Sequence, residues 1–113
     1  MNTLDAKDLL IAFFKDYFIF DKTDMNGKKI GGYEFGCGGS VGGFMCQAVF
    51  DYLFKYFGRE ALVQGALEIK EYDQLFYDNK ILWNTMDEWK EKLNQKIEEV
   101  AIKIVRKYVR SIA

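Results

Sequence analysis

The residues with the most chemical potential fall in one stretch, Gly36-Cys37-Gly38-Gly39-Ser40-Val41-Gly42-Gly43, where a thiol and a hydroxyl sit among glycines. Read as letters, Gly38-Gly39-Ser40-Val41-Gly42 is a G-x-S-x-G nucleophile elbow. That turn activates its serine through a histidine, and the chain has no histidine at any position. The same absence removes Cys-His nucleophile pairs, imidazole general bases and every zinc set that needs a histidine. Cys37 and Cys46 are too few for a four-thiolate metal site or a disulfide framework. Cys37 sits near a helix start, where a thiol pKa can fall. With no histidine base beside it, an inert small residue is the expectation. The residues therefore call for no catalytic group, no metal and no cofactor, and the chain reads as a non-enzyme.

A different chemistry suits the glycines better. A glycine run that ends at a helix N-terminus presents backbone N–H groups beside the positive end of the helix dipole, a favourable place for an anion. Gly36, Cys37, Gly38, Gly39, Ser40, Gly42 and Gly43 are thus candidate contacts for a small anionic ligand or nucleotide. Their spacing matches neither the dinucleotide fingerprint nor the P-loop. The competing account is conformational: glycine supplies unusual φ angles and Ser40 caps the helix. Asp21–Gly27 has the composition of a calcium loop, but counting back from Gly27 puts Lys22 in the first ligand position, so a hairpin turn is expected instead.

Lys103, Arg106, Lys107 and Arg110 recur at helical spacing near the C-terminus and form a basic stripe, with Tyr108 close by for stacking. Such a stripe can track phosphates, which makes nucleic-acid binding a third reading. Cations at a helix C-terminus also complement its dipole, which accounts for the same residues without a ligand. An acidic band, Glu60, Glu68, Glu71, Asp73 and Asp78, lies upstream and has the charge to face that stripe, within the fold or across a dimer, or to dock onto a basic partner.

The elements that must position these groups follow from periodicity. A first helix should start after Thr3, a good cap with Asp5 close behind in the first turn, and turn Leu10, Phe13, Phe14 and Tyr17 to one face. Residues 18–35 read as a β-hairpin turning at Asn26-Gly27, with Gly31-Gly32 marking a bulge or a close backbone approach. Phe44–Phe57 is a helix whose polar stripe is reduced to Gln47, Asp51 and Lys55, and Gly58 looks like its C-terminal cap. Residues 59–77 form a third helix with Leu62, Ala66, Ile69, Leu75 and Phe76 inward, although Gly65 weakens it. A turn at Asp78-Asn79 and a short strand or connector at Lys80–Trp83 follow. The last helix starts at the capping box Thr85-Met86-Asp87-Glu88 and carries the stripe Trp89, Leu93, Ile97, Val100, Ala101, Ile104, Val105 and Tyr108. Glu88–Lys92 and Glu99–Lys103 are i,i+4 pairs along it.

The expected fold is α+β, mostly α: about four helices packed around a central apolar helix (residues 41–57), with one β-hairpin (residues 18–35), in a single compact domain spanning residues 1–113. Sixteen basic and 17 acidic side chains leave a formal charge of −1, which gives no global pull toward nucleic acid or an anionic membrane. No apolar run reaches transmembrane length, and the N-terminus lacks the positive flank of a secretory signal, so the cytoplasm is the expected location.

Ten Phe, seven Tyr and two Trp are many rings for an interior of this size. Some should lie at the surface as contact residues. The expectation is a protein-interaction module (an adaptor, inhibitor or immunity-type protein) that pairs into a homodimer through Phe44, Phe50, Tyr52, Phe54, Tyr56 and Phe57. Small size and Phe/Tyr/Ile/Lys-rich composition point to a bacterium, phage or mobile element as source.

Overall fold

The structure, a computed structural model, describes residues 3–37, 43–78 and 86–112. Helix α1 (Thr3–Asp16) opens at Thr3 and turns Ala6, Leu10, Phe13 and Phe14 inward. Tyr17, expected as the last residue of that helical face, instead begins strand β1 (Tyr17–Thr23). Its ring still stacks on Phe13, with centroids 4.7 Å apart.

Strand β1 pairs antiparallel with β2 (Lys29–Cys37) as a two-stranded sheet, matching Tyr17 with Cys37, Phe18 with Gly36, Ile19 with Phe35, Phe20 with Glu34 and Asp21 with Tyr33. The turn is wider than Asn-Gly alone suggests. The Asp24 N–H donates to the Lys28 carbonyl at 2.9 Å, and the Gly27 N–H donates to the Asp24 carbonyl at 3.0 Å. The Asp24 carboxylate accepts from the Asn26 and Lys28 amides at 2.8 and 3.0 Å. Gly27 alone takes a left-handed φ, 82°, while Asn26 does not. This is a three-residue loop with a left-handed glycine, and the Asp24 side chain organises it. Gly31-Gly32, where a bulge or a close backbone approach is expected, lies at a break in the register. The register shifts between Asp21 and Thr23, and both glycines adopt positive φ, 88° and 86°.

Helix α2 (Gly43–Phe57) ends at Gly58, whose φ of 88° and N–H bond to the Phe54 carbonyl at 3.0 Å make the expected left-handed cap. Helix α3 (Arg59–Asp78) begins at the next residue. It buries Leu62, Ala66 and Ile69, but Leu75 is 59% exposed, contrary to its expected inward position. The inward stripe at 62, 66 and 69 leaves Leu75 off the buried face as the helix turns. Asp78, expected in a turn with Asn79, is the last residue of α3. Asn79, Lys80–Trp83 and Thr85 lie outside the described residues, as does the Phe76 side chain.

Helix α4 (Met86–Ile112) carries its apolar stripe as expected: Ile97, Val100 and Ala101 are buried, with Leu93, Ile104 and Val105 packed against them. Trp89 lies at the start of the stripe, and its indole N–H donates to the Asp73 carboxylate at 2.8 Å. Helix α4 packs on both α1 and α3. Among the described side chains α2 adds fully buried Leu53, with Phe54 and Phe57 against the core. The fold is α+β, mostly α, with four helices and one hairpin among the described residues, as the sequence indicates; the helix that packs most extensively on its neighbours is α4 rather than the one expected at the centre, residues 41–57.

Gly65 has a packing reason. A methyl there would stand 2.9 Å from Phe14 Cζ on α1, and 3.0 Å from both Ile104 Cδ1 and Val100 Cγ1 on α4. Its missing side chain lets α3 seat against both helices.

Candidate functional site

Two of the sequence-derived sites change character once placed in the fold. Gly36 is an interior residue of β2, opposite Phe18. A methyl at Gly36 would overlap the Phe18 ring, so this glycine serves cross-strand packing rather than a ligand loop. Cys37 closes β2 and Gly43 opens α2. The Cys37 side chain and Gly38, Gly39, Ser40 and Gly42 lie outside the described residues.

The aromatic set on α2 also divides. Phe54 sits edge-on to Phe35 of β2 at 5.9 Å, under the Arg59 guanidinium 5.6 Å from its ring centroid. Phe57 meets Tyr108 of α4 at 5.2 Å. Both rings take part in the molecule's own packing while remaining partly exposed. Tyr52 is 40% exposed and lies 5.4 Å from Tyr56, which in turn contacts Tyr108 at 5.4 Å. The side chains of Phe44 and Phe50 lie outside those described.

The basic stripe on α4 meets the acidic band of α3 inside the molecule. Lys103 donates to both Glu68 carboxylate oxygens at 2.7 and 2.9 Å, and Lys96 approaches the same carboxylate at 3.6 Å. The Lys103 ammonium holds the Glu68 carboxyl below its ordinary range, and Lys96 adds to that effect. The expected Glu99–Lys103 pair does not appear among these contacts; Glu99 lies 3.8 Å from Lys96 instead. The physical reason is reach: Glu68 on the neighbouring helix offers Lys103 both oxygens. Glu88–Lys92 stands as expected, at 3.8 Å. An open groove of about 740 Å³ runs along this seam, with Gly65, Val100 and Ile104 in its lining beside Glu68 and Lys103. Arg106 and Lys107 are exposed, and the Arg110 side chain lies outside those described. Among the described residues, no cluster of His, Cys, Asp or Glu could hold a metal ion, and no helix is long and apolar enough to cross a membrane.

Among the described residues, two exposed phenylalanines lie side by side elsewhere, on the outer face of the hairpin. Strand alternation buries Ile19 and turns Phe18 and Phe20 to water, 53% and 37% exposed. Their ring centroids are 5.7 Å apart. Lys22 continues this face, its aliphatic stem lying over Gly32. Glu34, opposite Phe20, completes it on β2. Ile30 beside the bulge is 61% exposed, and Met25 at the tip is fully so.

The strands' backbones are guarded. Arg59 donates to the Tyr33 carbonyl on β2, and the Lys70 ammonium reaches the Ile19 carbonyl on β1 at 3.5 Å. Both cations come from α3, so one helix holds both strands of the hairpin. Basic side chains at strand edges disfavour pairing with further strands. The outer face is thus more open to contact than the edges.

Sequence reading did not single out Phe18, Phe20, Lys22 and Glu34 as a candidate surface. The signal was the run Phe18-Ile19-Phe20 itself. Three large apolar residues in a row make both faces of a strand apolar, and a two-stranded sheet with helices on one side covers only one face. Compared with protein-family models, curated proteins and solved structures, the chain matches none.

Proposed function

We propose that the chain is a non-enzymatic protein-interaction module of the adaptor, inhibitor or immunity type, acting in the cytoplasm as a symmetric homodimer. The observation that carries this reading is the pair Phe18 and Phe20, side by side on the water-facing side of a two-stranded sheet. Half-exposed phenylalanine rings beside one another gain by leaving water, and aromatic side chains are enriched where proteins meet. Phe18 also shields Gly36, yet that contact leaves half of its surface exposed. The contact surface moves from α2, where Phe54 and Phe57 are engaged within the fold, to the hairpin. The absence of histidine and the lack of a disulfide framework support a non-catalytic cytoplasmic role.

The competing readings have less support. Lys103 is engaged with Glu68, which interrupts the basic stripe a nucleic acid would follow. Gly36, the first residue of the glycine-rich stretch, lies in β2 beneath the Phe18 ring.

The test is a pair of variants, Phe18→Ser and Phe20→Ser, each checked for helical content by circular dichroism and for mass by light scattering. Both should stay folded, because neither ring belongs to the buried core, and both should lose self-association. A folded Phe20→Ser variant that associates like the parent would refute the reading.

A further inference from the structure

We infer that two copies of this chain dock hairpin to hairpin, outer face against outer face, with Lys22 of each copy paired to Glu34 of the other about a two-fold axis passing beside Phe20. The inference rests on the proposal that the hairpin face is the contact surface and adds the partner, the geometry and the residues that set the register.

The argument begins with the arrangement of charge on the face. A symmetric interface uses the same patch twice, so a residue that touches a second residue on the partner must be touched by it in return. The outer face of the hairpin satisfies that condition by itself. Phe20 is directly opposite Glu34 across the strands, and Lys22 follows two residues later on β1, at the break in register, with its stem against Gly32. Phe20 is thus the common neighbour of one cation and one anion. A two-fold axis running past it exchanges the two positions, laying Phe20 on its own mate and Lys22 on Glu34, twice over. Phe18 extends the apolar strip beyond the axis. Neither Lys22 nor Glu34 is buried.

The alternative association for a short sheet is edge to edge, forming a continuous four-stranded sheet. It would have to displace Arg59 from the Tyr33 carbonyl or Lys70 from the Ile19 carbonyl. The β2 edge is further broken by the consecutive left-handed glycines Gly31 and Gly32, which interrupt the ladder. The face carries apolar area and matched charge, whereas the edges carry guarding cations and a bulge.

The experiment is a charge exchange read by sedimentation of the full chain. Lys22→Glu places like charges against each other at both symmetric contacts, and so does Glu34→Lys. Each single variant should associate about tenfold or more weakly than the parent, since opposed like charges at an interface cost affinity. Mixing the two single variants should restore association, as a heterodimer in which every contact is again between opposite charges. The double variant Lys22→Glu/Glu34→Lys should pair with itself as the parent does. If the single variants associate like the parent while Phe20→Ser does not, the docking geometry is overturned and the hairpin face remains the contact surface. If Phe20→Ser also associates like the parent, both fail. Weakened single variants whose mixture does not recover would equally overturn the pairing of Lys22 with Glu34.

Discussion

Replacing Gly65 with alanine sets two physical effects against each other with opposite sign. In an isolated helix, alanine is favoured over glycine by about 1 kcal/mol. Within this fold the added methyl would stand 2.9 Å from Phe14 Cζ and 3.0 Å from both Ile104 Cδ1 and Val100 Cγ1. Carbon atoms rest at roughly 3.5–4.0 Å, so each contact is short by about 0.5–1 Å. Phe14 and Val100 are 6% and 1% exposed and have little room to retreat. The three atoms come from α1 and α4 together, so relief requires α3 to lift from both. Overpacking of this kind costs about 1–3 kcal/mol. The net expectation for Gly65→Ala is a loss of about 1 kcal/mol, a fall in melting temperature of roughly 4 °C for a chain of this size. Urea unfolding followed by circular dichroism, with a calorimetric scan beside it, reads that change directly. A variant equal to or more stable than the parent would show that α3 does not seat as closely as described.

Two further perturbations probe the same framework. Leu53 is the fully buried side chain that α2 gives to the described core, so Leu53→Ala should cost about 2–5 kcal/mol in urea unfolding; a loss well below that range would mean α2 is loosely attached. Glu68 accepts from Lys103 and has a lowered carboxyl pKa because of it. A carboxyl whose folded pKa lies below its unfolded value near 4.3 stabilises fully above that value and loses the effect as pH falls through the folded one. Glu68→Gln should therefore lower stability near neutral pH by about 0.5–1 kcal/mol, the range for partly exposed ion pairs. The gap from the parent should close in acid, measured as urea midpoints across pH; a gap that persists there would mean Glu68 acts by packing rather than charge.

Local signals carried most of the fold. The α4 stripe is legible because one long helix repeats its apolar positions over many turns, and each repetition reinforces the period. Gly58 and the Gly31-Gly32 pair are legible because left-handed backbone strongly favours glycine. What stayed hidden depends on residues distant in sequence. Nothing near Gly65 announces Phe14, Val100 and Ile104 above it. The ring contacts of Phe54 and Phe57 were hidden because their neighbours, Phe35 and Tyr108, arrive from β2 and from the far end of α4. Lys103 had a suitable partner four residues away in Glu99, and the neighbouring helix supplied a better one in Glu68. The glycine-rich stretch illustrates the same limit at its first residue: Gly36 reads as loop until its strand partner, Phe18, is known.

Sedimentation of the unmodified chain over a wide concentration range tests the central claim most directly. The account expects the mass to rise with concentration from the 13.2 kDa of one chain toward twice that value and to stop there, as a closed symmetric pair must. A mass that stays at one chain up to the highest concentration would contradict it, and with it the assignment of the hairpin face as a surface for a second copy.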